Sequence, residues 1–94
     1  MARYEPSIVN FSNEFVFVCG GYNNQVGYMD SVEKYDLADE TKPWSIEVPR
    51  LKTARRRHSS CSLSDYIYVF CGENENGLLS SIERLNARKA IENS

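Results

Sequence analysis

The sequence holds 94 residues, room for one small domain and no more. Hydrophobic residues make up 41% and charged residues 26%, which is ordinary globular usage, and the Phe, Tyr, Val and Ile content is above that of a disordered chain. The net charge of −2 gives no whole-chain signal for nucleic-acid binding.

Residues 1–15 lack the charged-then-apolar pattern of a secretory signal, and include Glu5 and Pro6. The longest apolar run, 66–71, is too short to span a bilayer, so no membrane association is expected. Three cysteines, an odd number without an export signal, read as reduced thiols and point to the cytoplasm or nucleus.

In chain order, residues 7–11 read as a first strand, and Asn13 marks the turn after it, because its short polar side chain bonds locally and tolerates left-handed geometry. Residues 15–19 are apolar at consecutive positions, so this second strand is expected to be covered on both faces. Gly20 and Gly21 follow, where positive φ and close backbone approach let the chain turn away. Residues 31–35 form a third strand. Residues 44–48 form a fourth that alternates: Trp44, Ile46 and Val48 face one way, Ser45 and Glu47 the other. The segment 49–57 then carries five cations, Arg50, Lys52, Arg55, Arg56 and Arg57. Beyond it the signals recur, with strands at 59–63, 66–71 and 81–85 and a turn at Asp65. Only residues 86–93 have a helical look.

The recurrence is an internal repeat. Displacing the sequence by 52 residues lays Arg3, Ser7, Ser12, Cys19 and Gly20 on Arg55, Ser59, Ser64, Cys71 and Gly72, with the apolar run 15–18 on 67–70. Past the glycines the displacement falls to 50, and Ser31-Val32-Glu33-Lys34-Tyr35 lies on Ser81-Ile82-Glu83-Arg84-Leu85. This assigns a two-residue shortening to the intervening loop of the second copy. Four short strands at a spacing of about fifty residues fit a propeller blade; a lone hairpin or a small sandwich is the alternative.

The motifs Cys19-Gly20-Gly21, then Ser31-Val32-Glu33-Lys34-Tyr35-Asp36 with Trp44, resemble the kelch repeat, as do Arg55-Arg56-Arg57-His58-Ser59 and Tyr66-Ile67-Tyr68-Val69-Phe70-Cys71-Gly72 in the second copy. The resemblance implies an all-β fold, a partial kelch-type β-propeller of antiparallel four-stranded blades. Residues 1–50 would be the first blade and 51–94 the second, lacking its outer strand. Gly20, Gly21, Tyr35, Trp44, Arg55 and Gly72 are then structural motif positions, with Tyr35 and Trp44 supplying large apolar area between blades. The sequence departs from the pattern where Glu73 replaces the second glycine of the second copy and Leu85 stands for the tyrosine; the matching tryptophan would fall at Ser94. Because propellers close with four to eight blades, the chain is expected to be a fragment of a longer kelch protein, or one that borrows blades from other copies, and in isolation to self-associate through exposed blade edges.

The resemblance also places residues 22–27, 49–57 and 73–77 on one face of the disc, the face that holds partners in kelch adaptors. Arg50, Lys52, Arg56 and Arg57 are the candidate partner-binding residues, since guanidinium forks suit carboxylates and an acidic peptide is the natural ligand. The same loop also reads as a solvated basic turn with inter-blade salt bridges, or as a nuclear-localisation signal. Arg55, which lies on Arg3 across the repeat, reads as structural. No catalytic residue emerges: His58 is the only histidine, no Cys-x-x-Cys spacing or glycine-rich phosphate loop exists, and neither metal nor cofactor is expected. The expected function is a non-catalytic protein-interaction module, from a substrate adaptor of a cullin ubiquitin ligase or a cytoskeletal binder. The alternative is a structural slice of a propeller enzyme whose active site lies in other blades.

Overall fold

The computed structural model describes residues 2–38 and 48–92. In chain order they form β1 (Ser7–Phe11), β2 (Phe15–Cys19), β3 (Tyr22–Asn23), β4 (Gly27–Tyr28), β5 (Val32–Asp36), β6 (Ser59–Leu63), β7 (Tyr66–Phe70), β8 (Glu73–Asn74), β9 (Gly77–Leu78), β10 (Ile82–Asn86) and a short helix α1 (Ala87–Glu92). Two antiparallel sheets result, β1-β2-β5 and β6-β7-β10, each with a small hairpin, β3-β4 or β8-β9, between its second and third main strands. The expected fourth strand at 44–48, with Trp44, lies outside the described residues except for Val48, which is buried in the core. Among the described residues no helix is long and apolar enough to cross a membrane.

The register decides which side chains meet. Val9 lies opposite Phe17, and Cys19 opposite Val32, so Val9, Phe11, Phe17, Cys19 and Val32 share one face of the first sheet. In the second sheet Ile67 lies opposite Leu85 and Val69 opposite Glu83. The two faces pack on each other and form one core with Leu51, Ala87 and Ala90. Phe11 and Phe17 meet edge to face at 6.2 Å, an arrangement the ring quadrupoles favour. Asn86 caps α1, its side-chain oxygen accepting the Lys89 amide at 3.0 Å, which turns the chain from strand to helix and presses Ala87 and Ala90 inward.

The register also corrects the sequence alignment. The loop between β1 and β2 has three residues, while that between β6 and β7 has two, Ser64 and Asp65, with Ser64 taking the left-handed conformation at φ 56°. The second strands therefore superpose at a displacement of 51, Phe15 on Tyr66 and Cys19 on Phe70. The second missing residue comes out of the hairpin turn, three residues between β3 and β4 against two between β8 and β9. The shortening is thus shared between two turns. It follows that β7 ends at Phe70, that Cys19 and Cys71 are not equivalent, and that Glu73 replaces no glycine. Gly20 and Gly21, at φ 64° and 109°, correspond to Cys71 and Gly72, at φ 57° and 90°. The departure from the glycine pair falls on its first member.

A left-handed residue with a Cβ is disfavoured by roughly 1–2 kcal/mol, partly offset by the entropy a glycine loses on folding. Cys71→Gly should therefore raise stability by up to about 1 kcal/mol. Gly20→Ala should do the opposite, because its Cβ would stand 2.7 Å from the Arg55 carbonyl oxygen. Urea titrations followed by circular dichroism measure both.

Candidate protein-interaction face

Each sheet is closed at one end by a buried arginine. Arg3 donates from Nη1 to the carbonyls of Gly20 at 2.7 Å and Ser31 at 3.1 Å, and from Nη2 to Ser31 Oγ and Glu33 Oε1. Arg55 repeats this set: Nη1 to Cys71 O at 2.9 Å and Ser81 O at 3.1 Å, Nη2 to Ser81 Oγ at 2.9 Å and Glu83 Oε2 at 2.8 Å. Glu83 further accepts the Lys52 and Thr53 backbone amides, so the linker into the second sheet is fixed to that sheet's outer strand.

This settles where the five cations stand. Arg55 is wholly buried and faces inward. Arg56 lies with its guanidinium 4.9 Å from the Tyr22 ring centroid and 5.2 Å from that of Tyr28, a cation–π stack, with Glu73 and Glu5 at 3.4 and 3.6 Å. Arg57 pairs with Glu5 at 2.8 Å and Glu73 at 3.3 Å while its side chain stays 58% exposed. Its hydrogen bond to Glu5 raises its pKa further above an already high value. Arg50 pairs with Asp30 at 2.6 Å, both exposed. Lys52 is exposed, and among the described residues its ammonium has no ion pair. The structure brings Arg56 and Arg57 together through shared carboxylates and gives Arg50 a partner of its own. Glu5 and Glu73, which neutralise this loop, were not legible as its partners. The recurrence of Glu33 and Glu83 alongside Arg3 and Arg55 was the signal available for the buried pairs.

His58 and Cys19 belong to packing. His58 Nε2 donates to Cys19 O of the first sheet at 2.8 Å. That fixes the proton on Nε2 and leaves Nδ1 buried without a partner among the described residues. Burial pushes the His58 pKa down, outweighing the bond to Cys19. Cys19 is buried at the sheet interface and its thiol is pushed up to about 11 by the same cause, whereas Cys61 and Cys71 are exposed. Tyr35 lies opposite Val16 on the side of the first sheet turned away from the second. Among the described residues no three His, Cys, Asp or Glu side chains gather as metal ligands.

Twisted antiparallel sheets, repeated face to face and each closed by a glycine turn and an arginine–glutamate pair, define successive blades of a β-propeller. The Kelch motif matches residues 54–90, so the chain carries a kelch repeat. It is similar to Kelch-like protein 36 of Bos taurus, with 38% identity over 74 residues, 78% of this chain and 11% of that protein. The Rattus norvegicus and Mus musculus forms are each 36% identical over the same length. The chain thus spans 11% of the length of these relatives.

Removing Arg55 would leave the Cys71 carbonyl without a donor and strip the Glu83 carboxylate of its buried countercharge, with only the Lys52 and Thr53 amides left to it. Arg55→Met should cost about 3–5 kcal/mol, measured by urea denaturation. Arg55→Lys should recover little, since a single ammonium cannot span four acceptors.

For His58 the folded-state pKa is depressed below 6.5. As pH falls through that value the unfolded chain gains a proton that the folded chain refuses, so stability falls on the acid side. His58→Gln should flatten the thermal midpoint between about pH 5 and 7, the range in which an ordinary imidazole titrates.

Proposed function

We propose that this chain supplies two blades of a kelch propeller whose hairpin-bearing face holds a protein partner, with no catalysis of its own. One observation carries this reading. The β3–β4 and β8–β9 hairpins converge on the segment 54–57, where Arg56 stacks on Tyr22 and Tyr28 of the first and bridges Glu73 of the second, on a surface that includes exposed arginine and an open cleft. The partner class proposed is an acidic peptide.

Glu5, Glu73 and Asp30 already occupy the arginines, so an acidic partner competes with internal carboxylates. The contact is therefore carried by Arg50, Lys52 and Arg57 more than by Arg56, which is stacked between rings and carboxylates. At the level of the longer proteins this chain resembles, the role proposed is that of a substrate adaptor of a cullin ubiquitin ligase or a cytoskeletal binder. A reducing compartment, cytoplasm or nucleus, suits the three thiols.

Binding of a fluorescein-labelled, glutamate-rich peptide followed by anisotropy tests the reading. The double reversal Arg50→Glu with Lys52→Glu should weaken binding at least about fivefold while the circular dichroism is kept, and affinity should fall as salt rises, as for any exposed charge pairing. Binding indifferent to both would return the loop to solvated surface.

A further inference from the structure

The β8–β9 hairpin carries a reactive group that neither the packing nor the partner face uses. Asn76-Gly77 is the one Asn-Gly step in the sequence. It stands at the hairpin tip, where Asn74 pairs with Gly77 and only Glu75 and Asn76 lie between them. Asn74 is engaged in the fold: its Nδ2 donates to Ala54 O at 2.9 Å and its Oδ1 accepts the Asn76 backbone amide at 2.9 Å. The Asn76 residue is exposed, and its carboxamide has no hydrogen-bond partner among the described residues.

The repeat shows that this exposure belongs to the hairpin tip itself. Gly27 of β4 occupies the position of Gly77, and Val26 that of Asn76. Val26 is 58% exposed although the second sheet is packed against the first. Both glycines have positive φ, 82° and 108°, and at either one an added Cβ would meet nothing within 4 Å. The open glycine is therefore common to the two copies, and the carboxamide before it is found only in the second.

An asparagine followed by glycine undergoes an internal substitution. The deprotonated Gly77 nitrogen attacks Asn76 Cγ, and the new N–Cγ bond closes a five-membered imide. The Cγ–Nδ2 bond breaks, and the nitrogen leaves as ammonia with the proton taken from Gly77. Water then adds across one of the two imide C–N bonds. Opening at Cγ gives aspartate, and opening at the main-chain carbonyl carbon gives isoaspartate, with Cβ now part of the backbone. Water is the only co-reactant. The step requires that the amide nitrogen reach Cγ, and a side chain on the following residue obstructs it. Gly77 has no side chain and stands in open space, whereas every other asparagine precedes a residue that has one.

We propose that Asn76 is a site of spontaneous deamidation, which turns the tip of the β8–β9 hairpin from a neutral to a negatively charged surface. Each event adds a carboxylate next to Glu75, on the hairpin that Arg56 bridges through Glu73. The isoaspartate form also lengthens the main chain by one atom within a two-residue loop, where the pairing of Asn74 with Gly77 leaves no slack.

Incubating the folded 94-residue chain in mildly alkaline buffer made with heavy-oxygen water tests this. Trypsin then releases residues 58–84, which hold both Asn74 and Asn76. Fragmentation of that peptide in the mass spectrometer assigns oxygen uptake to a residue, and enzymatic carboxyl methylation counts isoaspartate. Asn76 should lose its carboxamide almost completely and take up one heavy oxygen, in part as isoaspartate, while Asn74 keeps its own. Asn76→Gln should take up none at that position in the same time, because its carboxamide is one methylene too long for the five-membered ring. Circular dichroism checks that both chains stay folded, and a parallel incubation in urea gives the reaction without the turn. A folded chain that keeps the Asn76 carboxamide, whether or not urea releases the reaction, overturns the proposal, since the turn then protects the site. So does equal conversion of Asn74 and Asn76, which removes any role for Gly77.

Discussion

Where the second strand of each sheet ends and the third begins, two backbone carbonyls point into the protein, the later one already accepting the Gly20 or Cys71 amide and the earlier one with no backbone partner. Gly20 O and Ser31 O do so in the first sheet, Cys71 O and Ser81 O in the second. Buried carbonyls left unpaired are costly, and one guanidinium, planar with five donors, satisfies both together with a serine hydroxyl. The buried cation in turn requires a countercharge, which Glu33 and Glu83 supply from the third strand. The rest of the interface hangs on this arrangement. With its side chain held inside the second sheet, the Arg55 backbone is positioned to bond Gly21 and Met29 of the first.

The arginine also explains the glycines. The backbone of the following sheet passes so close to Gly20 that an added Cβ would meet Arg55 O and the His58 ring, while at the equivalent Gly21 and Gly72 the crowding carbonyl belongs to the segment leading into the same sheet, Tyr4 O at 3.0 Å and Arg56 O at 2.6 Å. Positive φ alone can be borne by a residue with a side chain, as Cys71 shows. Cys71 is tolerated because no further sheet crowds it within the described residues, and its thiol faces solvent.

The same asymmetry runs through the whole molecule. Equivalent positions carry similar residues but different burial, β1 alternating buried and exposed where β6 is almost entirely exposed. A propeller sheet has two faces to cover and the tight turns of its own chain can cover neither, so each unit depends on the next. The first sheet has that neighbour on its core side. The cation-rich loop follows the same logic: where the second sheet docks, Arg55 is internal, Arg56 is stacked and Arg57 is bound to Glu5, and the surface charge left to meet a partner is smaller than the count of five suggests.

The sequence by itself determined the strands at 7–11, 15–19 and 59–63 to the residue, the left-handed turn at Asn13, the repeat, and the kelch resemblance. These are local signals, carried by residue type, alternation and turn chemistry within a few positions. It also singled out Arg55 as structural, because its repeat partner Arg3 showed that the position is not free. Only the tertiary structure decided the register of the second copy. An alignment can place a two-residue gap anywhere between matching motifs, and pairing across the sheet alone shows that one residue leaves each of two turns. Only it decided, too, which charges are spent inside the molecule. Glu5 lies 52 residues from Arg57, and Glu33 lies 30 from Arg3. A sequence gives the sign of such groups but not their separation in space, and the strength of an ion pair depends on that distance and on the burial around it.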